Sequence, residues 1–214
     1  MSQVLVFGGS TSQGLWDPKG GWPQRLRTHL DHLYLEGKAS KIYTFNLGIS
    51  GDSSKEVLNR LESETKVRLC HPKTFFIFGS GGNDAQYRLN KKAVRRSPKD
   101  FKTNIIKIIR IAKKYSNLIL FVGLQPVDES KTNPIPWEPT ICFRNELLKK
   151  YSDIVKEICQ KENVYFVEIF DDWVKSDYLK LISSDGLHPN SEGHKKIFEK
   201  LLAFLSAKHI INSL

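Results

Sequence analysis

The chain has 214 residues, 40% of them hydrophobic and 26% charged, which argues against intrinsic disorder and suits one domain, residues 1–214, with a substantial core. No apolar run approaches the roughly 20 residues of a membrane helix, and Met1 leads directly into an apparent core strand without a leader pattern, so the expected location is cytoplasmic. The net charge of +10 suits nucleic acid in principle, but the densest cluster, "KKAVRRSPKDFK" at residues 91–102, carries no nucleic-acid motif and reads as a solvated loop and helix start.

In chain order, the first strand is predicted over residues 3–8, where the apolar run "VLVFGGSTSQG" ends in two glycines and Ser10. Further strands follow at 41–46, 73–79, 117–123 and 164–169. Between them, residues 54–69 repeat Val57, Leu58, Leu61 and Leu69 on one face, and residues 100–115 repeat Phe101, Ile105, Ile108, Ile109 and Ala112. Trp22 and Pro23 mark another helix start. The last helix, 192–208, aligns Ile197, Phe198, Leu201, Leu202 and Leu205. Near-continuous apolar strands alternating with helices predict a three-layer α/β/α domain on a parallel sheet. The longest irregular segment, "QPVDESKTNPIPWEP" at 125–139, follows the fourth strand and is a candidate wall of a site. Cys70, Cys142 and Cys159 lack CxxC spacing and read as reduced thiols, and no cluster has metal-ligand spacing, so neither metal nor cofactor is expected.

Ligands in such sheets gather at the carboxyl ends of the strands, and four polar, glycine-rich segments fall there: "GGSTSQG", "NLGISGDSS", "GSGGND" and "SSDGLHPNSEGH". The first lacks the GK[ST] ending of a P-loop, and neither it nor the third has GxGxxG spacing. A nucleophile suits Ser10 better, because its partners can be named. Asp185 and His188 stand three residues apart around Gly186, so a turn brings the carboxylate to Nδ1 and leaves Nε2 to face Ser10. Pro189 then suits the first turn of the last helix. GxSxG is absent around Ser10, which sets the chain apart from α/β-hydrolases.

With these four blocks in order over nearly the whole length, the sequence resembles the SGNH hydrolases, which include the GDSL esterases and lipases. The resemblance rests on Ser10 in "FGGSTSQG", Gly51 in "NLGISGDSS", Asn83 in "GSGGND", and Asp185 and His188 in "DGLHPN". It implies a flavodoxin-like five-stranded sheet of order 2-1-3-4-5 and serine-ester chemistry. Ser10 is then the nucleophile, His188 the base and Asp185 its orienting acid. The oxyanion donors are the backbone N–H groups of Ser10 and Gly51 and the side-chain amide of Asn83. The family usually reads GDS in the first block, whereas this chain reads Gly8-Gly9-Ser10. Acyl transfer on the same fold, or a binding module without catalysis, are the alternatives to ester hydrolysis. Asp84 is expected to be structural. Trp16, after the nucleophile turn, and Trp137, on the long loop, are candidate walls of the substrate pocket. His29, His32, His71, His194 and His209 are assigned structural or surface roles. The expected substrate is a small-molecule carboxylic ester of short-chain acyl, lysophospholipid or acetyl-sugar type, and oligomeric state is left open.

Overall fold

The opening apolar run is buried on both sides. Val4 and Val6 pack into one layer of helices, Leu5 and Phe7 into the other, so no side of the strand is left to polar groups. In the computed structural model, which describes residues 1–214 apart from the side chains of residues 212 and 213, this strand is β1 (Ser2–Gly8). It is followed by a one-turn helix α1 (Ser10–Gln13), α2 (Gly21–Leu35), β2 (Ile42–Gly48), α3 (Ser54–Lys66) and β3 (Lys73–Gly79). Then come α4 (Pro98–Lys113), β4 (Ile119–Val122), α5 (Asn145–Glu162), β5 (Tyr165–Val167) and α6 (Ser191–Ala207). The strands form one parallel sheet in the order β2-β1-β3-β4-β5. Helices α3, α4 and α5 cover one face, α2 and α6 the other. The three-layer α/β/α architecture and strand order expected from the sequence are those observed.

Local chemistry explains most boundaries. Ser53 and Glu56 form a reciprocal capping box at the start of α3, Ser97 caps α4, and the Asn190 side chain accepts from the N–H groups of Glu192 and Gly193 at 3.0 Å each to start α6. Two expectations need correcting. Pro189 precedes that cap instead of lying in the first helical turn, because Asn190 is the better cap. Helix α3 stops at Lys66, which leaves Leu69 40% exposed beyond its end. Phe101, Ile105, Ile108, Ile109 and Ala112 on α4 are all fully buried. Helix α5 was not anticipated, although Leu148, Tyr151, Val155 and Ile158 follow the helical period.

Two-residue strands at 87–88, 93–94 and 141–142 form a small antiparallel sheet. It ties the segment after β3 to the end of the irregular loop after β4, a link that pairs of residues are too short to signal. Among the described residues, no helix is long and apolar enough to cross a membrane.

Candidate active site

Three glycines make the floor of the site. Gly8, Gly48 and Gly79 end β1, β2 and β3 and are paired in one row across the sheet. A Cβ on Gly48 would lie 2.3 Å from the backbone nitrogen of Gln13, and one on Gly8 or Gly79 would lie 2.2 or 2.4 Å from Ser12 Oγ. Side chains on that row are therefore incompatible with α1, which lies directly against the strand ends. Ser12 is buried in this contact, and Ser10, at the first helical position, is only partly buried and faces outward.

The "DGLHPN" loop meets Ser10 from the far edge of the sheet. His188 Nε2 lies 2.8 Å from Ser10 Oγ, and Nδ1 lies 2.6 Å from Asp185 Oδ2. With Nδ1 donating to the carboxylate, Nε2 is the acceptor for the serine hydroxyl. The turn depends on Gly186, whose φ of +75° is left-handed and where a Cβ would stand 2.6 Å from Lys131 Cβ. Asp185 Oδ1 accepts from Ser183 Oγ at 2.5 Å and from the backbone N–H groups of Leu187 and His188 at 2.8 and 3.0 Å. Burial pushes the Asp185 carboxyl up, but the bonds from His188, Ser183 and the two backbone groups outweigh it and hold the acid far below the usual carboxylate range.

On the other side of Ser10, Asn83 Nδ2 donates to the Asp52 carbonyl at 3.0 Å, which leaves the second amide proton for another acceptor. Asp52 is itself held by Arg60 Nε at 2.8 Å. Asp84 receives Ser54 N–H at 2.8 Å and Ser54 Oγ at 2.6 Å, fastening the Asn83 turn to α3. Its burial raises its pKa against those bonds. Gly9 has an extended backbone open to any residue, but a Cβ there would approach Asn83 Nδ2 to 3.1 Å. A side chain at position 9 would therefore press on the Asn83 amide. Gly51, at φ +83°, sits exposed in the β2–α3 loop. Arg95 donates to its carbonyl at 2.9 Å, and Gln13 Oε1 accepts from the neighbouring Ser50 N–H at 2.8 Å.

A cavity of about 60 Å³ adjoins Ser10, with Asn83, Leu124, Val127, Phe143 and Leu187 in its walls. Gln125 and Val127 bring the start of the long loop to it, whereas Trp137 is 55% exposed and not among the lining residues. Trp16 is not there either. Its indole Nε1 donates instead to Asp185 Oδ2 at 2.7 Å. That contact, and the bond from Gln125 Nε2 to Thr11 Oγ1 at 3.3 Å, have no signature in sequence. Trp16 and Asp185 are 169 residues apart, and only the fold brings them together. His194 is fully buried, donating from Nε2 to the Leu15 carbonyl at 3.0 Å. In the basic cluster, Arg95 and Arg96 reach Glu56, while Lys91 and Lys92 are exposed.

Comparison with known proteins identifies the family and the shared fold. Residues 6–196 match the model of the GDSL-like Lipase/Acylhydrolase family. The GDSL esterase/lipase CPRD49 of Arabidopsis thaliana is 27% identical over 206 residues, covering 94% of this chain and 77% of that protein. Among solved structures, a lipase/acylhydrolase from Enterococcus faecalis superposes with a TM-score of 0.76 at 16% identity, covering 97% of both chains. An acetylxylan esterase from Geobacillus stearothermophilus superposes with a TM-score of 0.71 at 17% identity, covering 94% of this chain and 92% of that one. At these identities the structural matches establish a shared fold.

Proposed function

Since the chain belongs to the GDSL-like lipase/acylhydrolase family and is an ester-hydrolysing serine hydrolase, we propose that Ser10 is its nucleophile, His188 its general base and Asp185 the acid that orients His188. The observation that carries this assignment is the unbroken chain from Ser10 Oγ through the imidazole to the carboxylate, 2.8 and 2.6 Å long. Ser10 Oγ attacks the ester carbonyl as its proton passes to Nε2 of His188. Asp185 keeps Nδ1 protonated and stabilises the imidazolium that forms. The oxyanion is met by the backbone N–H groups of Ser10 and Gly51 and by the second amide proton of Asn83. Collapse breaks the ester C–O bond, the alcohol leaves with the proton from His188, and the acyl group stays on Ser10. Water then attacks this acyl-enzyme, giving its proton to His188. The second collapse releases the acid and returns the proton to Ser10.

The acyl group is short. The cavity beside Ser10 has an apolar wall of Leu124, Val127 and Leu187, which suits the methyl of an acetyl group. The acetyl-ester chemistry named for the Geobacillus structure fits the same substrate class.

The test is hydrolysis of p-nitrophenyl esters, from acetate to a long acyl chain, by the wild type and Ser10→Ala. The expected result is fastest turnover of acetate, declining with chain length and abolished in the variant. Activity retained in Ser10→Ala removes Ser10 from the mechanism, and a preference for long chains overturns the short acyl site.

A further inference from the structure

Trp16 stands in a backbone conformation that its side chain disfavours. Its φ is +66°, the left-handed region, where a bulky residue is a genuine outlier. Such strain persists where the surroundings over-determine it, and here they do so on both sides. Before it, the Leu15 carbonyl is held by Nε2 of buried His194 at 3.0 Å. After it, the buried Asp17 carboxylate accepts from Gly21 N–H at 3.2 Å, Arg25 Nε at 3.0 Å and Ser191 Oγ at 2.8 Å. Ser191 and His194 lie on α6, just beyond His188. The short loop carrying Trp16 is therefore fastened to the same helix start that presents the base.

The result of this fastening is a single directed contact. Trp16 Nε1 lies 2.7 Å from Asp185 Oδ2, the oxygen that faces His188 Nδ1. The indole and imidazole rings meet edge to face, 6.3 Å between centroids. An indole nitrogen only donates, so Trp16 constrains the carboxylate without competing for the imidazole proton. With Oδ1 already taken by the Ser183 hydroxyl and by the backbone N–H groups of Leu187 and His188, the indole completes the fixing of the carboxylate's rotation and keeps Oδ2 aimed at His188. Being neutral, the donor leaves the acid's charge available to the imidazolium.

We propose that Trp16 is a positioning residue of the acid–base pair, an indole N–H that locks the Asp185 carboxylate towards His188. The proposal rests on the assignment of Ser10, His188 and Asp185 made above.

Two substitutions separate the donor from the ring. Trp16→Phe keeps an aromatic ring and loses the N–H, whereas Trp16→Gln loses the ring and keeps an N–H donor the same number of bonds from Cα. On p-nitrophenyl acetate, Trp16→Phe is expected to lose about tenfold in kcat with little change in KM, and Trp16→Gln to regain much of that loss. Wild-type kcat in Trp16→Phe, or equal loss in both variants, overturns the proposal. So does a raised KM confined to Trp16→Gln, which makes the ring a stacking surface for substrate. A readout independent of turnover is the indole N–H resonance of Trp16 in 15N-labelled protein, identified by its disappearance in Trp16→Phe. Asp185→Asn should move it upfield, since a charged acceptor is lost, and a resonance that stays in place overturns the proposal. Ester hydrolysis unaffected by Ser10→Ala, with the resonance shifted as expected, would instead sink the triad assignment and leave the Trp16–Asp185 contact standing.

Discussion

At the scale of single residues, the site works by dividing the hydrogen-bonding capacity of a few side chains. Asn83 spends one amide proton on the Asp52 carbonyl, which fixes the direction of the other. If, as proposed, that second proton meets an oxygen that becomes charged only during reaction, Asn83→Ala is expected to lower kcat about 100- to 1,000-fold while KM changes little. Steady-state kinetics on p-nitrophenyl acetate checks this, and an effect confined to KM counts against the oxyanion role. Trp16 bears the opposite kind of burden, a conformational one. Once the indole is gone, its left-handed backbone has no compensation, so Trp16→Gly should be more stable than Trp16→Ala by about 1 kcal/mol. Urea unfolding of the two variants measures the difference. The candidates Ser10, Asn83, Asp185 and His188 stand out in sequence because each sits in a short block whose residue types are chemically conspicuous, and the fold brings Ser10, His188 and Asp185 into one hydrogen-bonded chain. The indole bond to Asp185 was not legible, because nothing local to Trp16 refers to a carboxylate 169 residues away.

At the scale of elements, the decisive feature is contact between a one-turn helix and three strand ends. Each glycine, at 8, 48 and 79, is visible in sequence as the close of an apolar run, but their alignment in one row is a matter of strand register. Gly48→Ala tests the contact most directly, since the new Cβ would meet the Gln13 backbone nitrogen at 2.3 Å and backbone cannot swing aside as a side chain can. The expected cost is on the order of 1–3 kcal/mol, read as a lower melting temperature, with loss of esterase activity as α1 is pushed off the sheet. At the other side of the site, Asn190→Ala removes both cap bonds of α6 and should cost about 1 kcal/mol. The helices α3, α4 and α6 were legible from their apolar period. The ends of α3 and α6 were less so, because capping and packing, more than periodicity, decide where a helix stops.

At the scale of the whole molecule, the buried histidine behind the site couples its stability to pH. Burial lowers the pKa of His194 in the folded protein, so the unfolded chain binds the additional proton as pH falls below about 6.5. The stability from neutral His194 is full above that pH and is lost progressively on acidification towards the folded value. Wild-type urea midpoints should therefore fall from pH 8 to pH 5.5 more steeply than those of His194→Gln, and parallel curves would remove His194 as the source. Asp185 runs the same way in a lower pH window. Its lowered pKa gives stability that is present above the ordinary carboxylate range and is lost only at strongly acidic pH, so the carboxylate beside His188 stays ionised at neutral pH. Of the net charge of +10, part of the basic cluster is spent within the molecule, where Arg95 holds the Gly51 carbonyl and pairs with Glu56.

The sequence by itself determined the layer architecture, because apolar strands buried on both faces admit only helices above and below them. It determined the chemical inventory as well, because a serine, an Asp–His pair and an amide at successive strand ends suit few tasks besides acyl chemistry. Only the tertiary structure decided how that inventory is held. The glycine floor, the Arg60 and Asp84 supports and the Trp16 bond to Asp185 all join residues from different elements. Such contacts follow from register and packing, whose physical determinants are distributed over the whole chain and leave no mark on any one stretch of it.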